Sequence, residues 1–219
     1  WSAPSADSLS GYYTRELAAY PKVLERFERL GLMREGHDVL AGCATVPIFD
    51  EQARPEGLMG VAFGPSGPAH HLTPPGQAVG RWLFPLEKVV YGLQDHGLVL
   101  VTDSVLSFFT LYSILAAVGL EVTVASAADE LRPEALERLL ALGAREIFVL
   151  TQQEDTSGLA GQCRAAGAVL HPLSPVTDHA RALEALREVA AHTQRAEVRH
   201  LLEQLMTARG APGEKKAGE

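Results

Sequence analysis

The clearest pattern in the chain is a run of short apolar segments separated by amphipathic stretches, beginning near residue 97. LVLVTD is an almost continuous apolar run, as expected of a strand buried on both faces. SVLSFFTLYSILAAVG has the recurrence of a helix and ends at Gly119. EVTVAS predicts a second strand. RPEALERLLALG predicts a helix with Pro133 at its start and Gly143 at its end. EIFVL is a third strand, SGLAGQCRAAG a helix and AVLHPL a fourth strand. Strands alternating with helices of this length predict a parallel sheet with helices on both faces, joined by right-handed crossovers.

The flanking segments have a different rhythm. Leu17, Tyr20, Val23, Leu24, Phe27 and Leu30 recur at three- and four-residue steps, so Ser8 to Leu32 reads as helices. Pro21 suits the start of the second of them and Gly31 its stop. ATVPIFD (Ala44–Asp50) and GLMGVAF (Gly57–Phe63) predict two strands, with EQARPEG as the hairpin loop between them. Gly64 to Gly80, rich in Pro, Gly and His, reads as loop, and WLFPLEKVVYGL leads into the alternating block. Asp178 to Ala208 is helical by its apolar steps at Leu183, Leu186, Val189, Val198, Leu201, Leu202 and Leu205. The polar GAPGEKKAGE tail is expected to be disordered. The resulting division is an α+β subdomain at 1–96, an α/β domain at 97–176, a helical segment at 177–208 and a tail at 209–219. No internal repeat is visible.

Composition narrows the function classes. The chain has 219 residues, 47% hydrophobic and 21% charged, enough to bury a core without staples. Its formal net charge is −8, with 19 Lys and Arg against 27 Asp and Glu, so any face that grips phosphates has to be local. The two cysteines, Cys43 and Cys163, have no CxxC or CxxH neighbour; no zinc site or disulfide framework is expected, which favours a reducing, cytoplasmic setting. Ser2 to Ser10 lacks the features of a signal peptide. No apolar run reaches the roughly 20 residues that a membrane span needs; Val99 to Leu120 is interrupted by Thr102, Asp103, Ser104 and Ser107. The chain begins at Trp1 rather than Met, which leaves room for a domain before it.

Five segments in order resemble the catalytic core of bacterial-type DNA primases, which contains a toprim fold. TVPIFDEQARPEGLMGVAFG resembles that family's "FPI.D..G...GF.GR" hairpin, HHLTPPG its "KYLNSPET" loop, and WLFPLEKVVYGL its "LF.K...LYGL" segment. LVLVTDSVLSFFTLYSILAAVGLEVTVAS resembles its first toprim strand and helix, and IFVLTQQEDTSGLAGQCRAAG its "DGD.AG..AA.RA" segment. The resemblance runs from about Leu30 to Pro175. It implies an α/β fold: a toprim-like parallel sheet flanked by helices, preceded by a primase-type α+β subdomain and followed by a helical segment.

The departures fall on the residues that carry the family's chemistry. Thr102 stands where the resemblance places a Glu. The two Asp of the D-x-D motif fall on Gln153 and Asp155. The Arg closing the hairpin motif falls near Pro65, and the Lys of the loop motif on His70 or His71. The acidic cluster after the last strand is reduced to about Asp178. Phosphoryl transfer needs Mg²⁺ to bridge phosphates, and Mg²⁺ wants carboxylate oxygens. Gln and Thr oxygens carry no charge. Lys and Arg normally hold template and triphosphate, and neutral His or Pro does not replace them.

These losses lead to the expectation of a catalytically degenerate primase-like protein of DNA replication or mobile-element maintenance. It would act as an interaction or nucleic-acid-positioning subunit with no cofactor. With no zinc ribbon within this sequence and only a short tail, work inside a complex is the expectation. Expected partners are of the helicase, polymerase, reverse transcriptase or transposase class, together with DNA; no membrane is implied. One alternative is an active primase or toprim nuclease using Mg²⁺ or Mn²⁺ on Asp103, Glu154, Asp155 and Asp178. Another is a purely structural protein-binding module. Several residues also have plainer readings. Asp103 reads as a cap of the helix that follows it. His70 and His71 are candidate nucleic-acid contacts, or simply exposed loop residues. Tyr12, Tyr13 and Trp82 could stack bases but suit a core as well. Cys43 and Cys163 read as small buried residues. The helix from Arg181 to Leu205 either docks a partner or packs on the sheet.

Overall fold

The computed structural model describes residues 20–34, 37–40, 43–62, 70–72, 82–127 and 130–210. The expected helix before residue 20, Tyr12, Tyr13, Pro65 and residues 211–219 lie outside them.

The first helix, α1 (Pro21–Arg29), starts on Pro21, and Gly31 follows it at φ 70°. Two short strands, β1 (Met33–Arg34) and β2 (His37–Asp38), pair antiparallel. The predicted hairpin is β3 (Cys43–Phe49) and β4 (Pro55–Ala62), also antiparallel. Its turn is shorter than EQARPEG suggests, because Asp50 gathers it. One carboxylate oxygen of Asp50 accepts from the backbone N–H of Gln52 and of Arg54, each at 2.9 Å, so pairing resumes at Pro55. A third strand, β5 (His70–Leu72), pairs with β4 inside the segment that the sequence assigns to loop. Pairing is non-local here: His70 lies opposite Gly60 and His71 opposite Met59.

The second unit is a four-stranded, all-parallel sheet in the order β7-β6-β8-β9. Its strands are β6 (Leu98–Thr102), β7 (Val124–Ser126), β8 (Glu146–Leu150) and β9 (Val169–Leu173). β6 and β8 are buried at every position. Alternate residues serve opposite faces, as the two-residue strand period requires. Leu98, Leu100, Phe148 and Leu150 pack against α3 (Val105–Ala116), α6 (His179–His192) and α7 (Ala196–Gly210). Val99, Val101, Ile147 and Val149 pack against α2 (Leu86–His96), α4 (Pro133–Ala141) and α5 (Ser157–Ala165). The C-terminal helices therefore pack on the sheet, with Leu186, Val189, Val198 and Leu202 in its core. α7 continues to Gly210, two residues into the segment read as tail.

Four features join the lobes. α2 precedes residue 97, yet its Leu86, Val89 and Leu93 belong to the core of the parallel sheet. Trp82 is buried with Ile48, Met59 and Val61 of the hairpin and with Val105 at the start of α3, which makes it a core residue rather than a stacking platform. Arg138 on α4 reaches Glu51 and Glu56 of the hairpin, bonding Glu51 through Nε and standing 3.3 Å from Glu56 through Nη1. Phe84 exchanges both backbone hydrogen bonds with Ser126 on β7, at 2.9 and 2.7 Å.

Among the described residues, no helix is long and apolar enough to cross a membrane.

Candidate functional site

Ligands of parallel α/β sheets bind outside the C-terminal ends of the strands, because the loops there are free to carry side chains. In this chain that end holds Thr102, the last residue of β6, with Asp103 after it, and Thr151 to Asp155 after β8.

Thr102 points inward. It is fully buried, and its hydroxyl donates to the Ser104 carbonyl at 2.8 Å, with the Ala125 carbonyl as a second acceptor at 3.3 Å. Asp103 does not cap α3. Ser104 does, because its backbone is extended and its Oγ accepts from the Leu106 N–H at 3.2 Å. Asp103 instead accepts from the Gln152 N–H at 3.0 Å, across the gap between the ends of β6 and β8.

Beyond β8 the chain turns on its own polar groups. Thr151 Oγ1 accepts from the Gln153 N–H at 3.0 Å. The Gln153 Oε1 is buried without a hydrogen-bond partner among the described residues. Glu154 is exposed. Asp155 accepts from the Ser157 N–H at 2.9 Å, at the start of α5. Hydrogen bonds from the Ser157 hydroxyl and backbone hold its carboxyl below the ordinary range, so it stays ionised in neutral solution. Asp178 caps α6 by accepting from the Arg181 N–H at 2.9 Å, and that bond likewise lowers its pKa.

Asp103 and the Gln152–Asp155 turn thus meet at neighbouring strand ends, while Asp178 sits in a helix cap. Among the described residues, no three His, Cys, Asp or Glu side chains come together to hold a metal ion. The side chains of His70 and His71 lie outside the description; their backbones are in β5. Cys43 and Cys163 are both buried, and burial pushes the Cys163 thiol up, which makes it a poor nucleophile.

Sequence reasoning missed a second polar cluster, at the other end of β8. Glu146 is buried and accepts from the Thr193 hydroxyl and the Gln194 N–H, each at 2.9 Å, thereby fastening the α6–α7 turn. His171 Nε2 lies 3.7 Å from Glu146, and the ring stacks on Phe148 with centroids 4.5 Å apart. A charged residue opening an apolar strand is the only local signal for this cluster.

No protein-family model and no curated protein sequence matches the chain. Solved structures do. The DnaG catalytic core aligns with a TM-score of 0.54 and 14% identity over 90% of this chain and 80% of its own. The zinc-binding and RNA polymerase domains of Aquifex aeolicus primase align with a TM-score of 0.57 and 16% identity, over 96% and 62%. A DnaG primase catalytic domain bound to single-stranded DNA aligns with a TM-score of 0.55 and 15% identity, over 88% and 64%. The chain therefore spans less than two thirds of the latter two. Its fold is that of bacterial DNA primase catalytic cores, at a divergence that leaves little of their sequence.

Proposed function

We propose that this chain is a primase-like protein that has lost primer synthesis. It serves DNA replication or mobile-element maintenance as an interaction or nucleic-acid-positioning subunit of a complex. The observation that carries the reading is Thr102. Where the resemblance places a Glu at the end of the first toprim strand, this chain has a fully buried hydroxyl committed to main-chain carbonyls. The remaining strand-end donors are thin for Mg²⁺: Gln153 offers a neutral amide, and among the described residues no three His, Cys, Asp or Glu side chains come together around Asp103, Glu154 or Asp155. DNA as a partner is supported by fold alone, through the relative bound to single-stranded DNA. A helicase, polymerase, reverse transcriptase or transposase suits the protein partner.

The test is primer synthesis on a single-stranded template with Mg²⁺ and with Mn²⁺. No template-dependent product is expected. Product that disappears in Asp155→Asn would establish the competing reading, an active enzyme that uses Asp103, Glu154, Asp155 and Asp178. If the protein positions nucleic acid, it binds primed or single-stranded DNA with a steep salt dependence and no turnover. A purely structural module binds neither DNA nor metal.

A further inference from the structure

A groove of about 700 Å³ runs between α2 and α3, along the segment that leads into β7. It is lined by α2 along its whole length and by α3 from Phe108 onward, and neither Asp103 nor the Gln152–Asp155 turn contributes to it. Its size falls in the range of about 300–1,000 Å³ that takes a compact ligand or a few inserted side chains.

The groove has an apolar floor, aromatic walls and an acidic rim. Phe108, Leu115 and Val124 supply the floor. Tyr91 and Tyr112 line it while 72% and 43% exposed. Tyr112 is held ready by stacking on Phe108, with centroids 5.6 Å apart and planes 15° apart. Large aromatics left exposed on rigid elements beside an apolar floor are what protein interfaces use as anchor points. Glu87, Asp95 and Glu121 line the same groove against Lys88 and His96, so carboxylates outnumber ammonium groups three to one. The Glu87 Oε2 is withdrawn from solvent and has no hydrogen-bond partner among the described residues. A desolvated carboxylate oxygen without a donor is costly until a cation or an N–H reaches it.

We infer that this groove docks a segment of a partner protein that presents Arg or Lys side chains on an apolar stretch. The apolar side chains fill the floor. The cationic side chain lies over the Tyr91 or Tyr112 ring, where the quadrupole attracts it, and meets the acidic rim. Nucleic acid is the wrong occupant despite the two tyrosines, because three carboxylates repel a phosphate backbone. The inference stands on the groove alone and does not depend on whether the strand-end site is active.

Fluorescence anisotropy on the full chain tests it with three labelled probes. Two are short peptides with the same leucines, one carrying arginines and the other glutamates between them; the third is a short oligo-dT. The Arg peptide should saturate the protein, with the Glu peptide and oligo-dT at least about tenfold weaker, a gap of about 1.4 kcal/mol. Tyr91→Ala and Glu121→Lys, both at exposed positions where folding is safe, should each weaken the Arg peptide about tenfold or more. Glu203→Lys makes the same change of net charge on α7, away from the groove, and should leave binding intact. Three results would overturn the inference: no saturable binding of the Arg peptide, an equal loss in Glu203→Lys that marks bulk charge attraction, or oligo-dT binding as well as the Arg peptide.

Discussion

The Asp103 carboxylate accepts a hydrogen bond from the Gln152 backbone N–H at 3.0 Å, tying the end of β6 to the turn after β8, forty-nine positions along the chain. In a metal-dependent site, a carboxylate here would face an ion shared with the next strand. In this chain it faces main chain, and the strand ends are joined directly. Asp103→Ala should therefore destabilise the fold by about 1–2 kcal/mol in urea unfolding, whereas Asp103→Asn, which keeps the acceptor, should cost much less. Equal stability of the two variants would show that the bond is incidental.

The Arg138 pairing is a second point of leverage, because its side chain is only 9% exposed and Glu56 is 10% exposed. Arg138→Ala would leave two carboxylates facing each other in a poorly solvated seam. We expect a loss of about 3 kcal/mol or more. Replacing all three together, Arg138→Met with Glu51→Gln and Glu56→Gln, should recover most of it. A triple variant as unstable as Arg138→Ala would show that packing, not charge, governs the seam.

Acidification should weaken the fold in two stages. Burial lowers the pKa of His171 below the ordinary histidine value of 6.5, with Glu146 opposing and His192 assisting. The unfolded chain then takes up this proton before the folded chain does, so stability present above pH 6.5 falls as the pH drops below it. Glu51 is held below the ordinary glutamate value of 4.5, chiefly by its hydrogen bond from Arg138; its contribution is present above that pH and is lost as the pH falls through the depressed value. In thermal melts as a function of pH, His171→Phe should flatten the upper step and Glu51→Gln the lower.

A Cβ at Gly92 would meet the Thr123 Oγ1 at 2.1 Å, so α2 sits against the lead-in to β7 with room only for glycine. Gly92→Ala should cost about 1–3 kcal/mol by overpacking. Adding Thr123→Ala removes the nearest atom and should return much of the loss, a coupling that a double-mutant cycle measures.

Legibility followed the source of each signal. β8 spans Glu146–Leu150, the same residues as the EIFVL run, because a strand buried on both faces writes its limits as an unbroken apolar run. Helix ends were readable where Pro133 opens α4 and where Gly119 and Gly143 take positive φ after α3 and α4. β5 was not readable. Its HHL sequence has no strand character, and its pairing is decided by β4, ten or more residues away. The candidate site divides in the same way. That Thr102 and Gln153 cannot supply charge is plain from residue type. That Ser104 rather than Asp103 caps α3 depends on the Asp103–Gln152 contact, which no local pattern encodes.

The two-way hydrogen bonding of Phe84 with Ser126 has a bearing on how the protein can be divided. The outer rim of the parallel sheet is finished by residues that arrive from the other lobe, and α2 follows at once to fill the face behind it. A fragment cut at residue 97 would begin with a bare strand margin and an uncovered apolar face, which are the conditions for intermolecular strand addition. A fragment meant to keep the parallel sheet covered would therefore have to reach back at least to Phe84, with the final turn of one lobe serving as the selvedge of the next.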